Sequence, residues 1–248
     1  NYNRQLSNPS AIGLDVSPTM ILDSHFKGVE HDPDLCDELL ACHDDQWMTR
    51  QERRRLPSSS HSQYTVAEWC TTVRFAKQSD QRVFVGMHYF GGDHRPGDLQ
   101  DWLERFVVEA GLILLFLTVD ITHDPQWDLT LPNTYDSICA LALEGLLDVF
   151  VAGPPCNTVS RLRHLFLENG PRPLRSRVLP WGLPGLSANE NSRLIEANRL
   201  WLNTMSLAEI VSMQGGGHLI EHPGDPGEPY PSLWCTTEMV EMETRTNA

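Results

Sequence analysis

The sequence predicts an α/β domain with an open, mostly parallel, doubly wound sheet. Segments of strand character at 82–90, 112–119 and 146–152 alternate with segments of helical periodicity at 99–110 and 135–145. This alternation is typical of βαβ units with right-handed crossovers. The strongly apolar segment 112–119 (LILLFLTV) predicts a central parallel strand that is covered on both faces.

Length and composition suit one such domain with an extension. The chain has 248 residues, of which 40% are hydrophobic, so it can supply a core. Its 6 cysteines show no CxxC spacing, which favours a reducing compartment, and we expect an intracellular protein, nuclear or cytoplasmic. No segment approaches the roughly 18 apolar residues of a membrane helix, and no signal peptide is present, so we expect no membrane contact.

Residues 1–63 are predicted to be an irregular acidic extension that ends in a linker at 51–62, and residues 64–248 to be the α/β domain. A short helix at 34–41 fits the pattern. The extension also contains residues of types that can bind metals, namely His31, Cys36, Cys42 and His43. Their spacing matches no standard zinc pattern, so we expect no metal there. Because the chain begins at Asn1, we expect it to be a fragment of a longer protein.

Further elements flank the alternating segments. Residues 64–78 have a helical apolar stripe, and Thr65 with Glu68 predicts a capping box. The segment 168–189 is rich in Pro, Gly and Arg, and predicts a long loop. A helix at 190–213 is expected to end at the glycines that follow it, before a short strand at 218–220. The segment from Trp234 onward has no clear placement.

Charge is unevenly distributed along the chain. The net charge of −14 argues against a simple nucleic-acid binder, because contacts to phosphate dominate that affinity. Residues 30–45 carry seven acids, whereas 161–177 carry five arginines against one Glu. The basic segment is either a solvated face or a lip that contacts the phosphates of DNA. The arginines that would contact DNA are Arg161, Arg163, Arg172, Arg175 and Arg177.

The rest of the domain is organised around the loop that follows the strand at 146–152. This strand stops at Gly153-Pro154-Pro155, and Cys156 comes next. Proline fixes φ and cannot continue a ladder, and chemistry in open α/β sheets lies just past the carboxyl ends of strands. Cys156 is therefore a candidate nucleophile, and the alternative is a small buried hydrophobic residue.

Two motifs carry a resemblance to a known family. Pro155-Cys156-Asn157-x-x-Ser160 resembles the nucleophile loop of the cytosine-C5 DNA methyltransferases, and Glu221-His222-Pro223 resembles a variant of their Glu-Asn-Val/Pro motif. The fuller strings GPPCNTVSRLRH, GPRPLRS, WGL and EHP resemble the methyltransferase-like modules of retroelement polyproteins of some unicellular eukaryotes. The resemblance covers about 82–234 and implies the Rossmann-like sheet of class I methyltransferases.

The resemblance also implies S-adenosylmethionine as cofactor. A glycine loop after the first strand would cradle its methionine part, and an acidic residue on the third motif, whose nearest match is Asp128, would contact the adenine amine. A carboxylate at the tip of the second strand commonly accepts hydrogen bonds from ribose hydroxyls, although a turn or helix cap would use the same residue type. The predicted cofactor positions are Tyr89, Gly91, Gly97, Asp98, Asp120, Asp128 and Pro155.

The chemistry implied is methyl transfer to C5 of cytosine. A thiolate that adds to C6 makes C5 electron-rich enough to accept a methyl group from a sulfonium donor. Cys156 would supply the thiolate with help from the positive charge of Arg161 and Arg163, and Glu221 would supply an acid at N3 of the ring. The predicted catalytic residues are Cys156, Glu221 and Arg163. In duplex DNA the base has to leave the stack.

The chain departs from the family in several places. His222 replaces the usual Asn, Arg95-Pro96 lengthens the glycine loop, and no Gln-x-Arg-x-Arg motif follows Glu221, as in a C-terminally truncated domain. A second hypothesis is therefore a catalytically degenerate methyltransferase-fold module that acts in nucleic-acid or protein interaction within a polyprotein. A third is a Cys-His hydrolase that pairs Cys156 with His164 or His222.

Overall fold

Four parallel strands form an open sheet with the order β2-β1-β3-β4 in a computed structural model that describes residues 64–92, 97–164 and 170–247. The predicted extension, its helix and its His/Cys group lie outside the described residues. In chain order the main elements are α1 (Val66–Gln78), β1 (Val83–Tyr89), α2 (Leu99–Glu109), β2 (Ile113–Val119), α3 (Pro132–Leu143), β3 (Val149–Ala152), α4 (Ala188–Met213), β4 (Gly217–Ile220) and α5 (Thr237–Thr246).

The direction of winding reverses between β1 and β3. From β1 the chain moves outward to β2, and then crosses back over β1 to β3 and on to β4. At the carboxyl ends of β1 and β3 the amide of Gly153 donates to the carbonyl of Tyr89, with an N···O distance of 3.1 Å. The predicted parallel α/β sheet is confirmed, and its switch point is where open sheets of this kind form ligand crevices.

The position predicted for β2 was wrong, because among the described strands β2 lies at an edge of the sheet. Its apolar sequence is explained by the packing that covers both of its faces. It does not mean that the strand has a neighbouring strand on each side. Leu117 and Val119 are buried in the core on one face, and α2 packs against the same strand. Ile113, at the other end of the strand, is 47% exposed.

The core lies between one face of the sheet and the helices α1, α3, α4 and α5. Alternate residues of β1 point into it, since Val85, Met87 and Tyr89 are all fully buried. From the helical side Trp69 of α1 and Trp201 of α4 are also fully buried. Large aromatic side chains from the helices therefore help to close this face of the sheet.

Side-chain caps determine where the two best-defined helices begin. The predicted capping box is confirmed: the amide of Glu68 donates to Thr65 Oγ1 at 3.2 Å, and the Thr65 amide donates to Glu68 Oε2 at 2.8 Å. The same arrangement starts α4, where Ser187 and Glu190 form a second box. The Ser-x-x-Glu spacing that signals this second box is present in the sequence.

The C-terminal segment that the sequence left without a placement forms a short 3₁₀ helix at Leu233–Cys235 and then α5. The hydroxyl of Thr236 caps α5, which packs on α4 and is tied to it by an ion pair between Arg245 and Glu209. Within the described ranges, no helix combines the length and the apolar character needed to cross a membrane.

Candidate functional site

The loop after β3 presents Cys156 to solvent. Cys156 is exposed, whereas Thr158 and Val159, which follow it, are buried. The Val159 amide donates to the Cys156 carbonyl at 3.0 Å, and the indole Nε1 of Trp201 donates to the Pro155 carbonyl at 3.0 Å. The loop is thus anchored through its backbone while the thiol stays accessible, which rules out the buried-hydrophobe alternative for this cysteine.

Glu221 stands at the tip of the neighbouring strand. Its amide donates to the Ala152 carbonyl at 2.8 Å, which continues the pairing of β3 with β4 by one residue. Its carboxylate is exposed, and Oε2 lies 3.1 Å from the point where a Cβ on Gly153 would be. The structure therefore brings the predicted acid and the loop of the predicted nucleophile to adjacent strand ends.

Arg163 contacts the backbone of the loop that contains Cys156. Its Nε donates to the Asn157 carbonyl at 2.7 Å, and its Nη1 donates to the Arg172 carbonyl at 3.4 Å. Arg161 is exposed, and its guanidinium lies 4.9 Å above the centre of the Tyr230 ring. These two cations keep no carboxylate partner within the described residues, so their charge remains available beside the loop.

The predicted DNA-contacting lip needs correction. Arg175 is fully buried and cannot reach a phosphate, so its assignment as a DNA contact was wrong. Arg172 forms an ion pair with Glu190 at 2.6 Å, and Arg177 forms one with Asp225. Arg172 and Ser187 together hold the pKa of Glu190 well below its usual range. Much of the positive charge counted in the sequence is thus neutralised by carboxylates that lie far along the chain.

Arg175 is enclosed by neutral acceptors and one aromatic face. Its Nε donates to Thr158 Oγ1 at 3.0 Å, and its Nη1 donates to the Pro180 carbonyl at 2.7 Å and to Asn198 Oδ1 at 2.6 Å. Its Cζ lies 4.1 Å above the centre of the Trp201 ring. Burial lowers its pKa from 12.5 to about 9, so the guanidinium is charged at neutral pH.

His222, next to Glu221, is turned into the protein. Its ring is edge-on to Trp201 and Trp234, at centroid distances of 5.3 and 6.2 Å. Neither ring nitrogen has a hydrogen-bond partner among the described residues, and burial lowers its pKa to about 4, so the ring is neutral at neutral pH. His164 packs edge-on against Tyr230 at 5.0 Å. A Cys-His hydrolase needs a base hydrogen-bonded to its nucleophile, and His222 does not bond to Cys156.

The predicted glycine loop begins as expected at the end of β1. The ring of Tyr89 is fully buried beside Phe150, so only its backbone borders the loop. Gly91 is tightly packed: a Cβ there would lie 2.6 Å from atoms of His88 and of Thr118. Gly92 is different, because a Cβ on it meets no atom of the described residues within 4 Å. The loop interior, 93–96, lies outside the described residues.

The far end of this loop starts α2. Gly97 has a φ of +76°, a left-handed conformation that favours glycine. Oδ1 of Asp98 accepts from the amides of Gln100 and Asp101, at 3.0 and 3.2 Å. Asp98 therefore caps the first turn of a helix, which is a sufficient structural reason for its residue type.

Asp120 and Asp128 follow β2 and are both half-buried in turns. Asp120 Oδ1 accepts from the amide and the hydroxyl of Thr122, at 2.8 and 2.6 Å. Burial alone would raise the pKa of Asp120, but these bonds and one from the Gly92 amide lower it. Asp128 Oδ1 accepts from the Thr130 amide at 2.7 Å. Asp120 thus links the tip of β2 to the glycine loop.

These features fit part of S-adenosylmethionine. No atom of the described residues lies within 4 Å of a Cβ on Gly92, so the described part of the loop allows a ligand to approach this backbone, and the ionised carboxylate of Asp120 lies beside that glycine as an acceptor for hydroxyl groups. Pro155 contributes a backbone carbonyl that is already bound by Trp201. Tyr89 and Asp98 have structural roles, so the fit rests chiefly on Gly92 and Asp120.

Thr158 and Trp201, which bond to the guanidinium of Arg175 and to the Pro155 carbonyl, were not identified from the sequence, and Arg175 was identified only as a DNA contact. Gly153 lies against Glu221, Trp201 bonds Pro155, and Arg175 bonds Thr158, yet only the position of Gly153 before Pro-Pro signals a constrained backbone in the sequence. A shallow groove between α1 and α3, which includes Cys70, lies elsewhere and contains none of the predicted site residues. No group of three or more metal-ligand side chains occurs within the described ranges.

No protein-family model, curated protein or solved structure matches the chain. The functional interpretation therefore depends on the geometry of the strand ends and on the chemistry of the residues that lie there.

Proposed function

We propose that this chain transfers a methyl group from S-adenosylmethionine to C5 of cytosine in DNA through a covalent adduct of Cys156. The observation that carries the proposal is that Cys156 and Glu221 follow two paired parallel strands at the same edge of the sheet. The Glu221 carboxylate lies against Gly153, three residues before the exposed thiol. A nucleophile and an acid on rigid neighbouring strand ends suit an attack on one ring.

The steps proposed for the residues are as follows. The Cys156 thiolate forms a bond to C6, and Glu221 holds a proton at N3, where negative charge develops. The cofactor, when bound, would supply a methyl group attached to a sulfonium, and C5 would form its bond to that methyl as the methyl–sulfur bond breaks. A base then removes the C5 proton, and the electron pair expels the thiolate from C6, which restores the aromatic ring.

The positive charge of Arg161 and Arg163 supports this chemistry at its first step. A cation beside a thiol favours the thiolate, which is the nucleophilic form. Arg163 also donates to the Asn157 carbonyl, immediately after the nucleophile, so it helps to define the loop. Gly92 and Asp120, at the ends of β1 and β2, are the residues that would hold the methionine and ribose parts of the cofactor.

The direct test uses the full chain, cofactor with a labelled methyl group, and cytosine-containing DNA. We expect label at C5 of cytosine in the recovered nucleosides. DNA with 5-fluorocytosine should trap a covalent complex, because fluorine at C5 cannot leave as the proton does, and peptide mapping should place the adduct on Cys156. Absence of both label and adduct, with cofactor shown to be bound, would overturn the proposal.

A degenerate module is the second candidate, and the charge distribution favours it. The net charge is −14, and the ion pairs of Arg172 and Arg177 and the burial of Arg175 reduce the basic surface for DNA. Calorimetric titration with S-adenosylhomocysteine separates the two candidates. Saturable binding favours the enzyme, whereas no binding up to millimolar ligand favours an interaction module.

A further inference from the structure

Arg175 is a buried cation whose partners are all uncharged. It is 0% exposed, it has three neutral oxygen acceptors, and its Nη2 has no hydrogen-bond partner among the described residues. Burying a charge without an opposite charge costs stability, and an apolar side chain of similar size is often as good or better at such a site. A contribution to stability therefore does not account for this arginine.

The guanidinium joins three different segments of the chain. One bond goes to Thr158 in the nucleophile loop, one to the carbonyl of Pro180 in the loop before α4, and one to Asn198 of α4. The Nε of arginine and its two amino groups project in fixed directions within one plane. A planar group bound in this way sets the distances between all three segments at once.

Trp201 extends the same connection to the other side of Cys156. The indole ring lies under the guanidinium, with Cζ 4.1 Å from its centroid, and its Nε1 donates to the Pro155 carbonyl. The nucleophile loop is thus held at Pro155, before the cysteine, and at Thr158, after it. His222, which neighbours Glu221 in sequence, is edge-on to the same indole. Trp201 therefore contacts residues that follow both candidate catalytic strands, and Arg175 contacts Trp201 and the Cys156 loop.

We propose that Arg175 is a positioning residue that holds the Cys156 loop in one conformation relative to β4 through Thr158 and Trp201. Its effect on turnover rests on the proposed function, whereas its effect on the loop does not. Removing the guanidinium should therefore loosen the loop locally without unfolding the domain.

The test is hydrogen exchange of the full chain, measured by mass spectrometry on peptides that contain the amides of Cys156 to Ser160. Arg175→Met has a similar length and no charge. We expect exchange in this loop to rise by about tenfold, the equivalent of one charge-assisted hydrogen bond. Exchange in β1 and β2 should stay unchanged. The temperature of unfolding should be unchanged or higher.

Two further variants sharpen the result. Arg172→Met is the matched control, because that side chain bonds Glu190 and the Gly185 carbonyl and has no bond to the nucleophile loop. Thr158→Val removes the acceptor on the loop side and should reproduce the local rise, whereas Thr158→Ser keeps the hydroxyl and should not. If Arg175→Met fails to fold, the Thr158 pair decides the question in the same way.

Unchanged loop exchange in Arg175→Met and Thr158→Val would overturn the proposal, and so would a rise spread evenly over the sheet. In a methyl-transfer assay we expect Arg175→Met to lower kcat and to leave the KM for the cofactor unchanged. If the wild-type chain transfers no methyl group, the proposed function fails, and the exchange experiment still tests the positioning role by itself.

Discussion

The carboxylate of Glu221 lies directly against the backbone of Gly153, with Oε2 3.1 Å from the position that a Cβ on residue 153 would take. The two residues follow paired strands, and the Glu221 amide is bonded to the carbonyl of Ala152. Because there is no side chain on residue 153, the carboxylate can lie over the start of the nucleophile loop. A side chain added at residue 153 would therefore affect the position of the carboxylate on the neighbouring strand end.

Gly153→Ala should displace the Glu221 carboxylate. The added methyl group is closer to Oε2 than an ordinary contact, and Glu221 is exposed, so its side chain can move outward at little cost in stability. We expect methyl transfer to fall by about ten- to hundredfold, because a small misplacement of a catalytic group is costly, with cofactor affinity unchanged. Kinetics of transfer and calorimetry with S-adenosylhomocysteine would measure the two quantities.

Gly224→Ala is the matched control for this variant. Residue 224 lies three positions after Glu221, and a Cβ on it meets no atom within 4 Å in the described part of the chain. The control should behave as wild type in both measurements. Equal transfer rates for Gly153→Ala and Gly224→Ala would show that the position of Glu221 against Gly153 has no part in catalysis.

Local signals in the sequence predicted the elements well. Thr65 with Glu68 marked the start of α1, and the glycines after Met213 marked the end of α4, because caps and left-handed turns depend on residues close in the chain. The place of β2 in the sheet was not predictable in this way. An apolar strand reports that both its faces are covered, whereas the order of strands depends on pairing between distant segments.

For the site as well, local features were predictable from the sequence, whereas contacts between distant segments were not. That Cys156 and Glu221 would lie at strand tips followed from the end of each apolar run, and the parallel sheet brought both tips to one edge. The arginines were misjudged, because a count of charges does not show which are paired. Arg177 pairs with Asp225, and Arg175 bonds Thr158, only after the chain folds. The segment that is basic in the sequence therefore does not form an equally basic surface.

Cys156→Ser should abolish methyl transfer, because a serine hydroxyl is too weak a nucleophile to add to C6 without a base bound to it. The side chain is exposed, so the fold and the binding of S-adenosylhomocysteine should be retained. Cys235→Ser, at the other exposed cysteine within the described ranges, should keep wild-type transfer. Undiminished transfer by Cys156→Ser would remove this cysteine from the mechanism.

Asp120→Asn should weaken cofactor binding. The amide keeps an oxygen for the turn with Thr122, but it loses the charge that strengthens a hydrogen bond from a ribose hydroxyl. We expect a loss of about 1.5–3 kcal/mol in the calorimetric binding free energy of S-adenosylhomocysteine. Asp136→Asn, on the exposed side of α3, is the control. Equal affinities for the two variants would leave Asp120 with only its role in the turn.

His222 should make the protein less stable in mild acid. Its pKa is lowered to about 4 in the folded state by burial, and the nearby Arg175 acts in the same direction. An unfolded histidine binds its proton near a pH of about 6.5, so between these values the unfolded chain holds more protons than the folded one. Stability is therefore unaffected above a pH of about 7 and falls as the pH drops toward 4, by about 2 kcal/mol at a pH of about 5.

His222→Phe, which keeps an aromatic ring between Trp201 and Trp234, should remove this component. Urea denaturation of both proteins at a pH of about 7.5 and about 5 gives the free energy of unfolding in each state. Subtracting the two pH profiles cancels the contributions of the half-buried His88 and His218, whose pKa values are lowered by burial in the same direction. We expect the free energy of unfolding of the wild type to fall by about 2 kcal/mol relative to that of the variant over this range. Parallel pH profiles would mean that His222 is protonated as readily in the folded protein as in the unfolded chain.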